Sequence, residues 1–283
     1  MRRTWFPLLL LLFLTSCPPD LEREPSYLFI EGFELETTAG EGAATSAITE
    51  VWAFADEAFI GVFPLPGRVP VFRTGEVVIR LEAGVHQDGR SITPDSYPFY
   101  TPVEQTLTLI GGETIDLGRP VIRYRDRTTF GFVEGFEPGF ERVFTDPLTP
   151  GGVIAVQSDE VRSGGAAGAI VLSDANRLSE VATGLTFRDL NLVPITVWLE
   201  VDFLADAPTI FGVIGQRDLS IVRVFDPGFL PRDNWTKIYF NLSPVVGSAD
   251  LPELRIALSS LLPNELGAGT VYLDNLKLLY FTP

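Results

Sequence analysis

The amino-acid sequence predicts an all-β protein with two β-sandwich domains, and three observations carry that prediction. Apolar residues recur with a period of two in short runs, the pattern of half-buried strands. Twenty-six glycines and twenty-two prolines among 283 residues punctuate those runs, as expected where strands follow one another through tight turns. No stretch keeps the ~3.6-residue period of a long amphipathic helix. On a prior of ~100–200 residues per domain, and with a change of pattern near Thr128, the chain divides into a leader at 1–16, a tether at 17–25, a first sandwich at 26–125 and a second at 126–283.

Taken in order, Tyr27, Phe29, Phe33 and Leu35 alternate in an opening strand. Ile48 to Phe54 and Phe59 to Phe63 read as a hairpin around Asp56-Glu57, with Trp52 as a packing residue. Val77, Ile79 and Leu81 mark another strand, and Thr106 to Ile110 and Val121 to Tyr124 mark two more. In the second half Phe130 to Phe140 opens, followed by Ala169 to Leu172, Ile195 to Phe203, Ile210 to Gly215, Trp235 to Leu242, Leu254 to Ser259 and the closing Val271 to Phe281.

The leader is read from Arg2 and Arg3, the apolar run Trp5 to Leu14, and Leu14-Thr15-Ser16-Cys17. That run is about half of the ~20 apolar residues needed to span a bilayer, so it predicts export and not a transmembrane helix. Leu-Thr-Ser-Cys resembles the lipobox of bacterial lipoproteins. The resemblance implies cleavage before Cys17, acylation of Cys17 and anchoring of the chain to the lipid bilayer, most simply at the outer membrane and with either face open to it. Asp20, Glu22 and Glu24 resemble the acidic export signal of bacteroidete-type surface lipoproteins. The Pro-rich tether at 17–25 keeps the folded part within about 25 Å of the membrane surface.

Two further resemblances concern the sandwiches. Asp56, Ile60-Gly61-Val62-Phe63-Pro64 and Gly75 leading into Val77 to Leu81 resemble a PEGA-like domain, which implies a small immunoglobulin-like sandwich. Four features resemble carbohydrate-binding-module-like jelly rolls of the galactose-binding type: Gly135-Phe136-Glu137, Ser163-Gly164-Gly165-Ala166, Trp235 with Ile238 and Leu242, and the ending Val271 to Leu278. The implied fold is a small immunoglobulin-like sandwich followed by a jelly roll. The motifs specify fold better than ligand, because such modules include sugar binders, adhesins and domains without a known ligand.

Composition removes several chemistries. The formal charge is −16, and −18 once a leader carrying Arg2 and Arg3 is removed, so nucleic acid is not an expected partner. With one histidine, His86, and one cysteine, Cys17, the chain offers no His-cluster zinc site and no Cys–His pair. His86 lies in a turn-like segment without a Gly-x-Ser-x-Gly elbow, and no cofactor is required by any motif. Of 21 basic residues only Lys237 and Lys277 are lysines.

The candidate ligand surface comes from alternation. In the long strand Ile195, Val197, Leu199, Val201 and Phe203 share one face, while Thr196, Trp198, Glu200 and Asp202 share the other. An indole flanked by carboxylates suits the apolar face and hydroxyls of a pyranose, and the alternative is that Trp198 packs under a loop or against the first sandwich. In the strand after Trp235, Lys237, Tyr239 and Asn241 point away from Ile238, Phe240 and Leu242, which adds them to the candidate surface. The jelly-roll resemblance places Glu137 and Asp274 where related domains hold a structural calcium, against a reading of Asp274-Asn275 as a β-bulge. Three functions stay open: a non-catalytic lipoprotein binding a glycan, a structural lipoprotein docked to an envelope protein partner, and a glycan hydrolase with an unrecognised carboxylate pair.

Overall fold

The computed structural model describes residues 24–90, 94–191 and 196–281. The expected leader, Cys17 and most of the tether lie outside the described residues. The protein is all-β, with sheets packed into sandwiches.

The first sandwich contains β1 (Ser26–Ile30), β2 (Glu34–Glu36), β3 (Glu50–Ala55), β4 (Ala58–Pro64), β5 (Gly67–Val71), β6 (Gly75–His86), β7 (Pro94–Ser96), β8 (Val103–Leu109), β9 (Thr114–Asp116) and β10 (Val121–Arg123). One sheet runs β4-β3-β6-β7, with β8 also on β6; opposite it lie β5-β1-β9 and β10-β2. The β3–β4 hairpin turns at Asp56 and Glu57, whose φ angles of 46° and 66° match the left-handed pair of a type I′ turn. Val51, Ala53 and Ala55 of β3 and Val77, Ile79 and Leu81 of β6 face the core. The opening segment departs from expectation in phase. Leu28 and Ile30 are buried while Tyr27 and Phe29 are half-buried, because the chain breaks after Ile30 and places Leu35 in a separate strand, β2, paired with β10.

The second sandwich contains β11 (Thr128–Glu134), β12 (Phe144–Pro147), β13 (Ala155–Gln157), β14 (Ala167–Ser173), β15 (Leu178–Thr183), β16 (Phe187–Arg188), β17 (Val197–Ala205), β18 (Thr209–Arg217), β19 (Ser220–Phe229), β20 (Arg232–Asn241), α1 (Ser243–Ala249), β21 (Glu253–Leu261) and β22 (Ala268–Phe281). The sheet nearer the first sandwich is β13-β14-β22-β17-β20 with β11 on β22; the far sheet is β12-β15-β21-β18-β19 with β16 on β21. Val197, Leu199, Val201 and Phe203 from β17 meet Phe211 and Val213 from β18 and Leu254, Ile256 and Leu258 from β21. Each such fully buried side chain contributes about 1.5–3 kcal/mol. Helix α1 is too short to leave a readable period; it starts at Ser243 with Pro244 in its first turn, is capped by a left-handed Asp250, and turns Val245, Val246 and Ala249 onto the end of that core.

The two cores are continuous with the surfaces between them. Trp198, Tyr239 and Leu279, all on the near sheet, belong to the first sandwich's hydrophobic cluster.

Candidate functional site

The near-sheet face predicted as a ligand surface is closed. Trp198 is 2% exposed and Tyr239 1%. Tyr97 of the first sandwich stands edge-on to both rings, with centroids 5.3 Å from Trp198 and 4.9 Å from Tyr239. The expectation of an open sugar-binding sheet at Trp198, Glu200, Asp202, Lys237 and Tyr239 is therefore corrected. These residues do share one face, and that face is the interface between the sandwiches.

What closes it is polar as well as aromatic. Glu200 accepts hydrogen bonds from the hydroxyls of Tyr97 (2.8 Å) and Tyr124 (2.9 and 3.0 Å) and pairs with the Lys237 ammonium at 3.0 Å. Asp202 accepts from Thr45 (2.5 Å) and from the Asn275 amide (3.0 Å), and lies 3.7 Å from Lys237. Lys277 donates to the Ala43 carbonyl (2.7 Å) and to the Tyr124 hydroxyl (3.2 Å). The segment 37–49, between β2 and β3, thus lies across the near sheet, and its Ala47 N–H donates to the Tyr239 hydroxyl at 3.0 Å. Both lysines of the chain sit in this one cluster. Asn241, also predicted as a ligand contact, is half-buried. Its backbone N–H donates to Asp88 at 3.2 Å and its side-chain oxygen accepts from the Ser243 N–H at 3.0 Å, so it joins the 86–89 turn to the start of α1.

Electrostatics follow from burial and pairing. Burial pushes the Glu200 carboxyl up, but Lys237 and Lys277, with hydrogen bonds from Lys237 and Tyr97, outweigh it and hold the group below the usual carboxylate range. Burial drives the Lys277 ammonium down to about 8, with Glu200 and Asp202 opposing. Tyr97, Tyr100 and Tyr124 are raised by burial and by the Glu200 charge. Asp274 is raised to about 6 by burial, partly offset by backbone N–H donors of Ser163 and Asn275.

The two residues expected to hold calcium do a different task here. Asp274 accepts from the Ser163 N–H (3.1 Å) and the Asn275 N–H (2.8 Å), and Glu137 accepts from the Gly165 N–H (2.8 Å). Their lone pairs fasten the 163–165 turn. Among the described residues no group of three or more acidic, His or Cys side chains is placed to hold a metal ion.

The far sheet presents the opposite arrangement. Its outward positions are small at the centre: Ala182, Gly212, Ala257 and Ser259, beside Ile214, Leu148 and Phe225. Gly212 has no room for more, since an added Cβ would lie 2.1 Å from the Val224 carbonyl oxygen. Larger groups rise at the flanks. Arg223 on β19 reaches Glu180 on β15 at 3.2 Å across β18 and β21, which lie between their strands, so the ion pair lies over a closed floor in which Ala182 and Ala257 are 0% exposed and Ile214 3%. Arg255 pairs with Asp146 on the same face. At one end a groove of about 560 Å³ is lined by Ile214, Gln216, Asp218, Ile221, Glu253 and Arg255, within the ~300–1,000 Å³ range of ligand pockets. Alternation did not flag this face because Ala, Gly and Ser give no polar signal; a readable hint was Arg255 standing between Leu254 and Ile256.

No known family profile matches the chain, and no curated protein matches it in sequence. Solved structures match it at low identity. A carbohydrate-binding module of the β-sandwich superfamily, described for promiscuous specificity, is 12% identical over 82% of this chain and 85% of its own, with a TM-score of 0.36. A family 29 carbohydrate-binding module complexed with cellulohexaose is 15% identical over 55% of this chain and 93% of its own, with a TM-score of 0.35. A protein named SGBP-B, from a xyloglucan utilization locus in Bacteroides uniformis, is 13% identical over 81% of this chain and 65% of its own, with a TM-score of 0.26.

Proposed function

We propose that this chain is a lipid-anchored, non-catalytic glycan-binding protein of the cell envelope, whose contact surface is the far-sheet trough of the second sandwich. The observation that carries the reading is the trough of about 560 Å³ at one end of that sheet, lined by Ile214, Gln216, Asp218, Ile221, Glu253 and Arg255. A short stretch of glycan fits a groove of that size, with Gln216 in its lining and Arg223 of β19 beside Ile214 to supply hydrogen bonds to hydroxyls. Glu253, Glu180 and Asp146 are each held by an arginine, which suits hydrogen bonding to a ligand. The envelope location rests on Cys17 in its lipobox-like setting and on the Pro-rich tether.

Retardation in native gels containing soluble plant and bacterial polysaccharides tests this. Arg223→Ala and Gln216→Ala are expected to weaken retardation at least tenfold on the glycan that the parent chain binds. Unchanged retardation of both variants, or no retardation of the parent on any glycan, sinks the reading. One feature favours the alternative of an envelope protein partner: the β18–β19 hairpin carries Leu219 and Ile221, 98% and 68% exposed, at the rim of the groove. Cross-linking in the native cell that captures one partner through this hairpin, without any glycan signal, would select that alternative.

A further inference from the structure

The first sandwich carries a second surface that neither the buried interface nor the trough uses. Val51, Ala53 and Ala55 face the core of the β4-β3-β6-β7 sheet, so Glu50, Trp52 and Phe54 of β3 lie on its outer side, with Arg80, Glu82 and His86 of β6 beside them. A purely solvated face would carry long polar side chains. This one carries three aromatic rings in contact. Phe59, 54% exposed, has its ring centroid 5.6 Å from Trp52 and 5.3 Å from Phe54. The indole lies over Gly84, where an added Cβ would be 3.2 Å from Trp52 Cδ1; a side chain there would lift the ring from the sheet.

The charged groups around the rings are paired with one another. The Arg80 guanidinium lies 3.9 Å over the Phe54 ring and pairs with Glu82, which also accepts from Ser96 at 2.8 Å. Glu50 pairs with His86 and accepts from Thr49 at 2.6 Å. Two donors are left over, because Trp52 Nε1 and Arg80 Nε are buried without a hydrogen-bond partner.

We infer that this face is a second binding site, for an uncharged pyranose glycan. The exposed Phe59 ring and the half-buried Trp52 indole beside it offer apolar surface for the CH face of a sugar, and Glu50 and Glu82 at the edge of that surface accept hydroxyl hydrogens. With Arg80 paired to Glu82 and His86 to Glu50, the face holds no surplus positive charge to select a uronate or a phosphate. The inference shares a class of ligand with the proposed function and shares no residue with the trough, so the two stand or fall separately.

The experiment titrates the full-length folded chain, ¹⁵N-labelled, with soluble neutral hexasaccharides of β-1,4-glucan, β-1,3-glucan, β-1,4-mannan and β-1,4-xylan. The Trp52 indole N–H resonance, assigned by its loss in Trp52→Phe, should shift with at least one of them, while those of Trp198 and Trp235 stay in place. Phe59→Ala, a substitution at an exposed site, should weaken that shift's apparent affinity at least fivefold, and Arg223→Ala should leave it unchanged. An unmoved Trp52 resonance with every hexasaccharide overturns the inference. So does a wild-type dimer, seen by light scattering, that Phe59→Ala makes monomeric without changing glycan affinity, which would make the face a contact between copies. A Trp52 shift abolished by Arg223→Ala overturns it too, by tracing the effect to the trough.

Discussion

The two outer faces of the second sandwich began alike and ended differently. On the near sheet, Glu200, Asp202, Lys237 and Lys277 are sealed under the first sandwich and paired or hydrogen-bonded there, although Asp202 Oδ1 has no hydrogen-bond partner. On the far sheet, Glu180 pairs with Arg223 and Asp146 with Arg255 at the surface of the second sandwich. Both faces alternate away from the same hydrophobic core. A charged row on a strand therefore says only that the residue is outside its own sandwich, and whether water or another sheet covers it is decided elsewhere in the chain. Burial then changes what each charge is worth. A buried ion pair depends on complete pairing, because desolvation leaves no water to stand in for a lost partner, whereas an exposed pair exchanges its partner for water at little cost.

The largest expected effect is on the sealed face. Glu200→Ala removes the acceptor of Tyr97 and Tyr124 and the nearest counter-charge of Lys237, and should cost about 3–5 kcal/mol in urea unfolding. Glu200→Met with Lys237→Met should recover most of that loss, since the orphaned ammonium is gone. Native-state acetylation supplies a second readout: Lys237 and Lys277 are the only lysines, so the intact mass should gain no lysine acetyl group in the parent chain and should gain them in Glu200→Ala. A loss below about 1 kcal/mol would mean that the near-sheet charges are as accessible to water as those of the trough.

How much of this was readable beforehand differs by residue. The alternation from Val197 to Phe203 identified the core face correctly, because sandwich packing demands period two at every inward position. The same alternation grouped Trp198, Glu200 and Asp202 with Lys237 and Tyr239, and they do meet. Their cover was unreadable, because Tyr97, Tyr124 and Thr45 lie from 76 to 192 residues away in sequence from the groups they touch and carry no local mark of that contact. The hairpin at Asp56-Glu57 was legible from turn chemistry. Strand β19, by contrast, escaped notice because Asp226 and Pro227 interrupt its apolar pattern, and the trough escaped because its floor is built from small residues.

A smaller effect separates the faces by pH. In the unfolded chain a carboxyl like Asp274 titrates near ~3.9 and a lysine near ~10.4. Asp274, raised to about 6 when folded, binds its proton more tightly in the native state, so its contribution is full below about pH 4 and is lost as pH rises to about 6. Lys277, lowered to about 8, gives up its proton earlier in the native state, so stability climbs as pH rises from about 8 towards ~10.4. Urea midpoints across this range should therefore fall, level off and rise again. Lys277→Met should flatten the alkaline rise and Asp274→Asn the acid-side fall; profiles of these variants that parallel the parent's at all pH values would remove both groups from the account.

The smallest expected effect is the most diagnostic for the trough. Arg223 is 40% exposed at its side chain and its partner Glu180 16%, so water can replace either partner when the other is removed. Arg223→Ala should change unfolding stability by less than about 1 kcal/mol, against the several expected for Glu200→Ala. It should do so while weakening glycan retardation at least tenfold. Those two results together separate a residue kept for recognition from one kept for folding. A stability loss comparable to that of Glu200→Ala would instead make the Arg223–Glu180 pair a strut that ties β19 to β15 across the sheet, and the retardation change would then report a loosened sheet.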